Sequence, residues 1–259
     1  MNKLNQKLPS VIWILSAGLL CVGAGQSLVF ITIPPLARNL GLTEIEIGSI
    51  FAASASAWIL LSPYWGKLSD SIGRKRVVII GLVGFAISLV LFSFTISLGE
   101  AQQITGWLLF LLLVSTRLIN GIVGSATRPA SGAWIADITN SDERSRGFAR
   151  LDSGFSAGRI IGPALAGFLL LISYTAPFYI FGFCAIIVSL VVSKQKAPEN
   201  SRSSKLKMKS LNILDSRIWP FLVVSAALGL CNASLVQTSS FFFQDVIVPS
   251  EGLNFSTSF

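Results

Sequence analysis

Long apolar runs and short polar intervals alternate along the whole chain. Seven runs reach spanning length, at about 11–36, 45–65, 77–97, 106–136, 151–172, 176–192 and 218–243. A helix needs ~20 consecutive apolar residues to cross the hydrocarbon core of a bilayer. Each run therefore predicts one spanning helix, and the surplus length of several permits tilt or extension past the membrane surface. Lys3 and Lys7 precede the first run in the manner of a signal peptide. That run is too long for a signal core, no small-residue cleavage pattern follows it, and further spans continue at once.

Composition agrees with the pattern. Of 259 residues, 52% are hydrophobic and only 12% charged, with a mean hydropathy of +0.70. A soluble domain carries roughly 25% charged residues, so the composition argues against both a cytosolic enzyme and a disordered chain. The expected fold class is all-α, a polytopic membrane helical bundle. There is no histidine, which removes imidazole metal ligands and His-based acid–base chemistry. Cys21, Cys184 and Cys231 each lie in an apolar stretch without metal-ligand spacing and read as inert thiols. No metal, cofactor or enzymatic site is expected.

The net charge of +8 normally raises nucleic acid as a partner. Here its placement orients the helices instead. With the N-terminus inside, sixteen of the twenty Lys and Arg fall in cytoplasmic segments, three lie within spans (Arg117, Arg128, Arg159) and only Arg38 lies outside. This satisfies the positive-inside rule, and the excess charge meets anionic lipid. The expected location is the plasma (inner) membrane, with lipid bilayer and a small-molecule substrate as partners and no nucleic acid. One break in composition, the basic and Ser-rich segment 194–217, reads as a cytoplasmic linker. The expected organisation is a six-helix bundle over 1–193, the linker over 194–217, and the first helix of an incomplete second half with its tail over 218–259.

Three spaced motifs sit on these spans. The second loop carries Gly66, Leu68, Asp70, Gly73 and the Arg74-Lys75-Arg76 cluster. Gly66 allows close backbone approach, and Gly73 can take the positive φ of a tight helix-to-helix turn. Asp70 can pair with Arg74 or cap a helix start. In the fourth span Arg117, Gly121, Gly124 and Arg128 recur at offsets of 4, 7 and 11, with Asn120 beside them. Eleven residues is almost three turns, so both arginines fall on one stripe ~16 Å apart, with small residues holding it open. An arginine within a span must face protein or water, which makes Arg117 a functional candidate. In the fifth span Gly154, Gly158 and Gly162 form a small-residue ridge at i, i+4 and i+8, suited to packing at backbone distance. Pro163 follows the ridge and is expected to kink the helix. Asp152 is a candidate partner for Arg159 or Arg150.

These motifs resemble, in order, motif A, motif B and the antiporter motif C of the major facilitator superfamily. The charged stretch from Ala136 to Gly147, taken with Gly162-Pro163, is similar to the drug:proton antiporter branch of the tetracycline-efflux type. Ser71 stands where that family commonly has a basic residue, and Ala166 where a second terminal Gly is usual. The resemblance covers the chain to about residue 245. It implies a gating role for Gly66, Asp70, Gly73 and Arg74, coupling through Arg117, Asn120 and Gly121, and helix packing at Gly154, Gly158, Gly162 and Pro163. It further implies two six-helix halves that rock about a midplane site. Cavity candidates are Gln26, Ser27, Arg128, Arg159, Asn232 and Gln237, with Pro34 and Pro35 expected to break the outer end of the first span.

The implied activity is secondary active efflux of small amphiphilic compounds by alternating access, with protons as the coupling ion. No Asp or Glu occupies the middle of any span, so the coupling rests on the resemblance alone. Uptake of a polar or anionic metabolite, which embedded arginines would suit, stays open, as does a truncated non-transporting protein. A length of 259 is expected to be incomplete, because the motif A carboxylate has family partners in a second half.

Overall fold

The computed structural model describes residues 10–170, 173 and 175–197, together with eight separate helical positions between Trp219 and Leu235. Its regular elements are α1 (Ser10–Asn39), α2 (Glu44–Ile72), α3 (Arg74–Glu100), α4 (Gly106–Ile122), α5 (Thr127–Ile138), α6 (Ser141–Leu170) and α7 (Ala176–Ser193). They match the first six expected spans, with α4 and α5 together forming the fourth. Among the described residues, five helices are long and apolar enough to cross a membrane: α1, α2, α3, the α4–α5 pair and α7. The fifth expected span corresponds to α6, whose first half carries charged residues from Asp142 to Asp152 and whose second half is mostly apolar. The linker beyond residue 197 lies outside the described residues, as does the seventh span apart from those eight positions.

Turn chemistry sets the helix ends. Gly41, at φ +82°, closes α1: the Leu42 N–H reaches the Ala37 carbonyl and the Gly41 N–H that of Arg38. This is a Schellman end, which needs a residue in the left-handed region. Thr43 then starts α2 through a capping box. Its hydroxyl accepts from the Glu46 N–H, while its own N–H donates to Glu46 Oε2 at 2.8 Å. Arg38 and Glu44 pair at 2.8 Å across the same corner.

Two sequence expectations are corrected. Pro34 and Pro35 do not break α1, which continues through both positions to Asn39. In an apolar surround the backbone has no partner outside the helix, so losing single N–H donors is less costly than unwinding. The fourth span is not one continuous helix, because Gly124–Ala126 forms a 3₁₀ turn after α4. At this break Gly84 of α3 lies against Val123, and Gly81 lies against Thr127. The two glycines therefore receive the break at backbone distance. Pro163 lies inside α6, which runs as a helix on both sides of it.

Packing is built on α1 and α3, whose most apolar windows are 61% buried, against 22% for α2. Phe85, Leu89 and Phe92 of α3 are fully buried, as are Leu15, Leu19 and Leu28 of α1. α1 packs most extensively on α6, and α3 on α7. Large apolar side chains on the outside, such as Ile59, Leu60, Trp107, Phe168 and Phe183, suit a lipid surround.

Candidate functional site

The α1–α6 contact fixes one wall of the interior. Gly154 faces the Ser16 carbonyl, Gly158 that of Leu20 and Gly162 that of Ala24, so the ridge runs in step with α1 and the two helices are parallel. A Cβ at Gly154 or Gly162 would stand 2.5 Å from the facing carbonyl oxygen, and one at Gly158 closer still. Gly23 answers from α1 beneath the Phe155 carbonyl. Ser16 donates to the Arg150 carbonyl at 3.1 Å, and the Arg150 guanidinium lies 3.2 Å above the Trp13 ring. Gly121 works in the same way between α4 and α2, where a Cβ would stand 2.5 Å from the Ser54 carbonyl oxygen. It brings α2 close, instead of holding the arginine stripe open. Gly124 is likewise filled, lying over the Asn120 amide oxygen.

Between α1, α2, α4, α5 and α6 lies a cavity of about 260 Å³. Gln26, Arg117, Asn120 and Arg128 supply most of its polar lining. Phe30, Phe51, Trp58 and Phe155 give it aromatic walls, and Phe30 and Phe51 stack with ring centroids 4.7 Å apart. Four of the expected residues thus meet at one place. Ser27 does not join them: its hydroxyl donates to the Ala24 carbonyl at 3.1 Å on the side facing Gly162. Arg159 lies exposed on α6, away from the lining. Asn232 and Gln237 lie outside the described residues.

The sequence reading missed the α2 wall. Phe51, Ser54, Ala55, Trp58 and Ile59 fall at helical spacings of 3, 4, 7 and 8, a single face. That face is apolar like the rest of α2, so no contrast marks it in the sequence.

The two arginines of the cavity differ in how their charge is met. Arg128 pairs with Asp152 at 2.7 Å and lies 5.0 Å over the Phe155 ring. This corrects the expected pairing of Asp152 with Arg159 or Arg150. The partner sits 24 residues away because α5 and α6 fold back on each other across the short turn at Thr139 and Asn140. Arg117 is 3% exposed, and its Nε and Nη1 meet no hydrogen-bond partner among the described residues. Its guanidinium carbon lies 6.0 Å from the centroid of the Phe92 ring. The Asn120 Oδ1 is also buried without a partner among the described residues.

A second cluster closes one end of the bundle. Gly73 takes φ +100° between α2 and α3, with nothing within 4 Å of where a Cβ would stand, so backbone conformation alone calls for glycine there. Arg74 pairs with Asp70 on α2 and, through Nε at 2.9 Å, with Asp137 at the end of α5. Its Nη1 donates to Ser69 Oγ at 2.6 Å, and Ser69 donates to the Gly66 carbonyl. One guanidinium thus ties three helices together. Asp137, in the charged stretch between the fourth and fifth spans, is bonded to a residue 63 positions earlier. Lys75 adds a bond to the Gln195 carbonyl past the end of α7.

Known proteins place this arrangement. Residues 15–258 match the family described as Major Facilitator Superfamily. The Quinolone resistance protein NorA of Staphylococcus aureus (strain MRSA252) is 28% identical over 222 residues, covering 85% of this chain and 54% of that protein. Multidrug resistance protein 1 of Bacillus subtilis (strain 168) is 30% identical over 192 residues, covering 72% of this chain and 46% of its own length. The chain spans about half the length of these curated relatives. A helical bundle with lipid-suited outer faces, glycine-seated helix pairs and a family match over nearly its whole length is a multi-pass membrane protein, and the chain belongs to the Major Facilitator Superfamily.

Proposed function

We propose that the chain is part of a secondary active transporter that exports small amphiphilic molecules from the cell by alternating access. The observation that carries this reading is the cavity between α1, α2, α4, α5 and α6. It is walled by aromatics and carries a few convergent polar groups, the usual make-up of a small-molecule site. The names of the relatives, a quinolone resistance protein and a multidrug resistance protein, favour efflux over uptake.

In this reading 1–193 is the first six-helix half, 194–217 the linker between halves and 218–259 the opening of the second half. The protein lies in the plasma membrane with its N-terminus cytoplasmic. Gly66, Asp70, Gly73 and Arg74 act as the cytoplasmic gate, held shut through Asp137 and released when the halves rock. Arg117, Asn120 and Gly121 couple binding to that motion, while Gly154, Gly158, Gly162 and Pro163 keep α6 seated on α1. Protons serve as the coupling ion. Among the described residues no carboxylate lies mid-span, so the titrating group belongs to another part of the protein.

The test is flux of a neutral fluorescent amphiphile, N-phenylnaphthylamine, in cells expressing the whole gene product. Expressing cells should hold several-fold less dye than controls, and a protonophore should erase the difference. Greater accumulation in expressing cells would mean uptake. Equal accumulation with the protein present in the membrane would mean no transport of this class.

A further inference from the structure

The break in the fourth span offers its backbone two hydrogen-bond registers. The Ala126 N–H donates to the Val123 carbonyl at 3.1 Å and the Thr127 N–H to that of Gly124, both three residues back. A continuous α-helix would send the Ala126 N–H to the Ile122 carbonyl instead. That carbonyl is occupied by the Trp65 indole N–H of α2 at 2.6 Å and by the Ser125 hydroxyl at 2.9 Å. Rewinding to α hands each carbonyl to the next N–H along, so neither register leaves the Ile122 carbonyl bare in an apolar surround. A stretch of 3₁₀ inside a helix often marks a hinge. We propose that the break is a two-state switch: release of Ile122 by Trp65 lets the backbone rewind to α and turns α5 out of its tie to Arg74.

Pitch sets the size of the movement. A 3₁₀-helix turns about 120° and rises ~2.0 Å per residue, an α-helix about 100° and ~1.5 Å. Rewinding the three residues Gly124–Ala126 removes ~60° of twist between α4 and α5 and shortens the span by ~1.5 Å. Shared equally between the two helices, that twist carries side-chain ends ~5–6 Å from the α5 axis through about 3 Å. This parts Asp137 from Arg74, which it meets at 2.9 Å. Gly81 and Gly84 of α3 face the break with no side chain to catch on Val123 or Thr127 as they move. Arg128 pairs with Asp152 from the first turn of α5, and Asp137 with Arg74 from the last. Nine residues make about two and a half turns, so the two ties lie on opposite sides of α5 and one rotation loosens both. α5 thus joins Arg128, at the border of the cavity, to the Arg74 cluster at the end of the bundle.

The switch requires no particular substrate or direction of transport, so its test stands apart from that of the transport reading. The probe is the Trp65 indole N–H, read by proton–nitrogen correlation NMR. The whole gene product is isotope-labelled at its tryptophan indoles and held in lipid nanodiscs, and Trp65→Phe assigns the resonance by its loss. Bonded and free indole N–H groups differ in chemical shift, so the two states give two lines or one averaged position. Asp137→Asn cuts the tie at the far end of α5 and should lower the ratio of bonded to free Trp65 by at least about fivefold, as reciprocal coupling requires. Ser125→Ala removes the second donor of the 3₁₀ register and should move Trp65 in the same direction. Glu44→Gln, at the opposite end of the bundle, should leave it in place. Thermal unfolding shows which variants are folded, and Ser125→Ala decides by itself if Asp137→Asn is not. A Trp65 resonance unmoved by Asp137→Asn in a folded protein overturns the switch, since the indole bond and the Arg74 tie would then be independent. So does an unmoved resonance in folded Ser125→Ala. An equal shift in Glu44→Gln overturns it too, because the break would then be yielding to loosening anywhere in the bundle.

Discussion

At the scale of single residues, glycine positions divide by what lies in front of them. Gly158 has the Leu20 carbonyl oxygen against it and the Ala24 nitrogen 2.9 Å from where a Cβ would stand, both rigid helix backbone. Gly167, about two and a half turns further along α6, has nothing within 4 Å among the described residues. Overpacking a close-packed contact costs about 1–3 kcal/mol when side chains can adjust, and here backbone must move instead. Gly158→Leu should therefore lower the melting temperature of the purified protein by several degrees or prevent its recovery in monodisperse form. Gly167→Leu should leave both unchanged. Fluorescence-detected size exclusion before and after a heating series reads the two variants side by side. Equal behaviour would mean that the α1–α6 contact is not held by the ridge. Spacing alone marks both glycines as small, and only the neighbouring helix distinguishes them.

At the scale of elements, the spans were legible because every interval between apolar runs carries charge or turn residues, from Gly41-Leu-Thr43 to Gly73-Arg74. The break in the fourth span was not, since Gly124-Ser-Ala126 is compatible with either α or 3₁₀ pitch. Its cause is long-range: the glycines of α3 and a hydrogen bond from α2. Arg117 and Arg128 were legible as charges on apolar runs, but their partners were not. Ion pairs such as Arg74–Asp137 and Arg128–Asp152 depend on which helices meet, and spacing within one helix says nothing about that. The break itself yields a prediction. Ending α4 at Ile122 frees its carbonyl, which then accepts from Trp65 Nε1 at 2.6 Å and from Ser125 Oγ at 2.9 Å. Ile122 lies at the middle of the span, where the bilayer supplies no water and an unsatisfied carbonyl costs several kcal/mol. Trp65→Phe should thus speed hydrogen exchange of the amides from Val123 to Thr127 modestly, and so should Ser125→Ala. The double variant should exceed the sum of the two, because only then is the carbonyl left without a side-chain donor. Strict additivity would show that the two donors do not share the work.

At the scale of the whole molecule, charge sits at the ends and is unequal between them. One end carries Lys67, Arg74, Lys75, Arg76, Arg144, Arg146 and Lys194, together with the Arg74–Asp137 tie. The other end has Arg38 as its cation among the described residues, and Glu44 meets it at 2.8 Å. The α1–α2 turn and the α3–α4 turn lie at this second end, while the α2–α3 and α5–α6 turns lie at the first, as alternating helices require. Each Lys or Arg near a span end biases that end to stay cytoplasmic, and local acids offset it little. The excess of Lys and Arg at the first end supports the proposed cytoplasmic orientation with no contribution from the fold's interior. Gln102 in the α3–α4 turn and Asn140 in the α5–α6 turn are both exposed, so single cysteines there report on opposite faces. In a background with Cys21, Cys184 and Cys231 replaced by Ser or Ala, a membrane-impermeant maleimide applied to intact cells should label Gln102→Cys nearly fully. Asn140→Cys should stay unlabelled until the membrane is permeabilised. The reverse pattern would invert the gate as well as the topology, because the Arg74 cluster would then close the outer face, and the direction assigned to transport would have to be argued afresh.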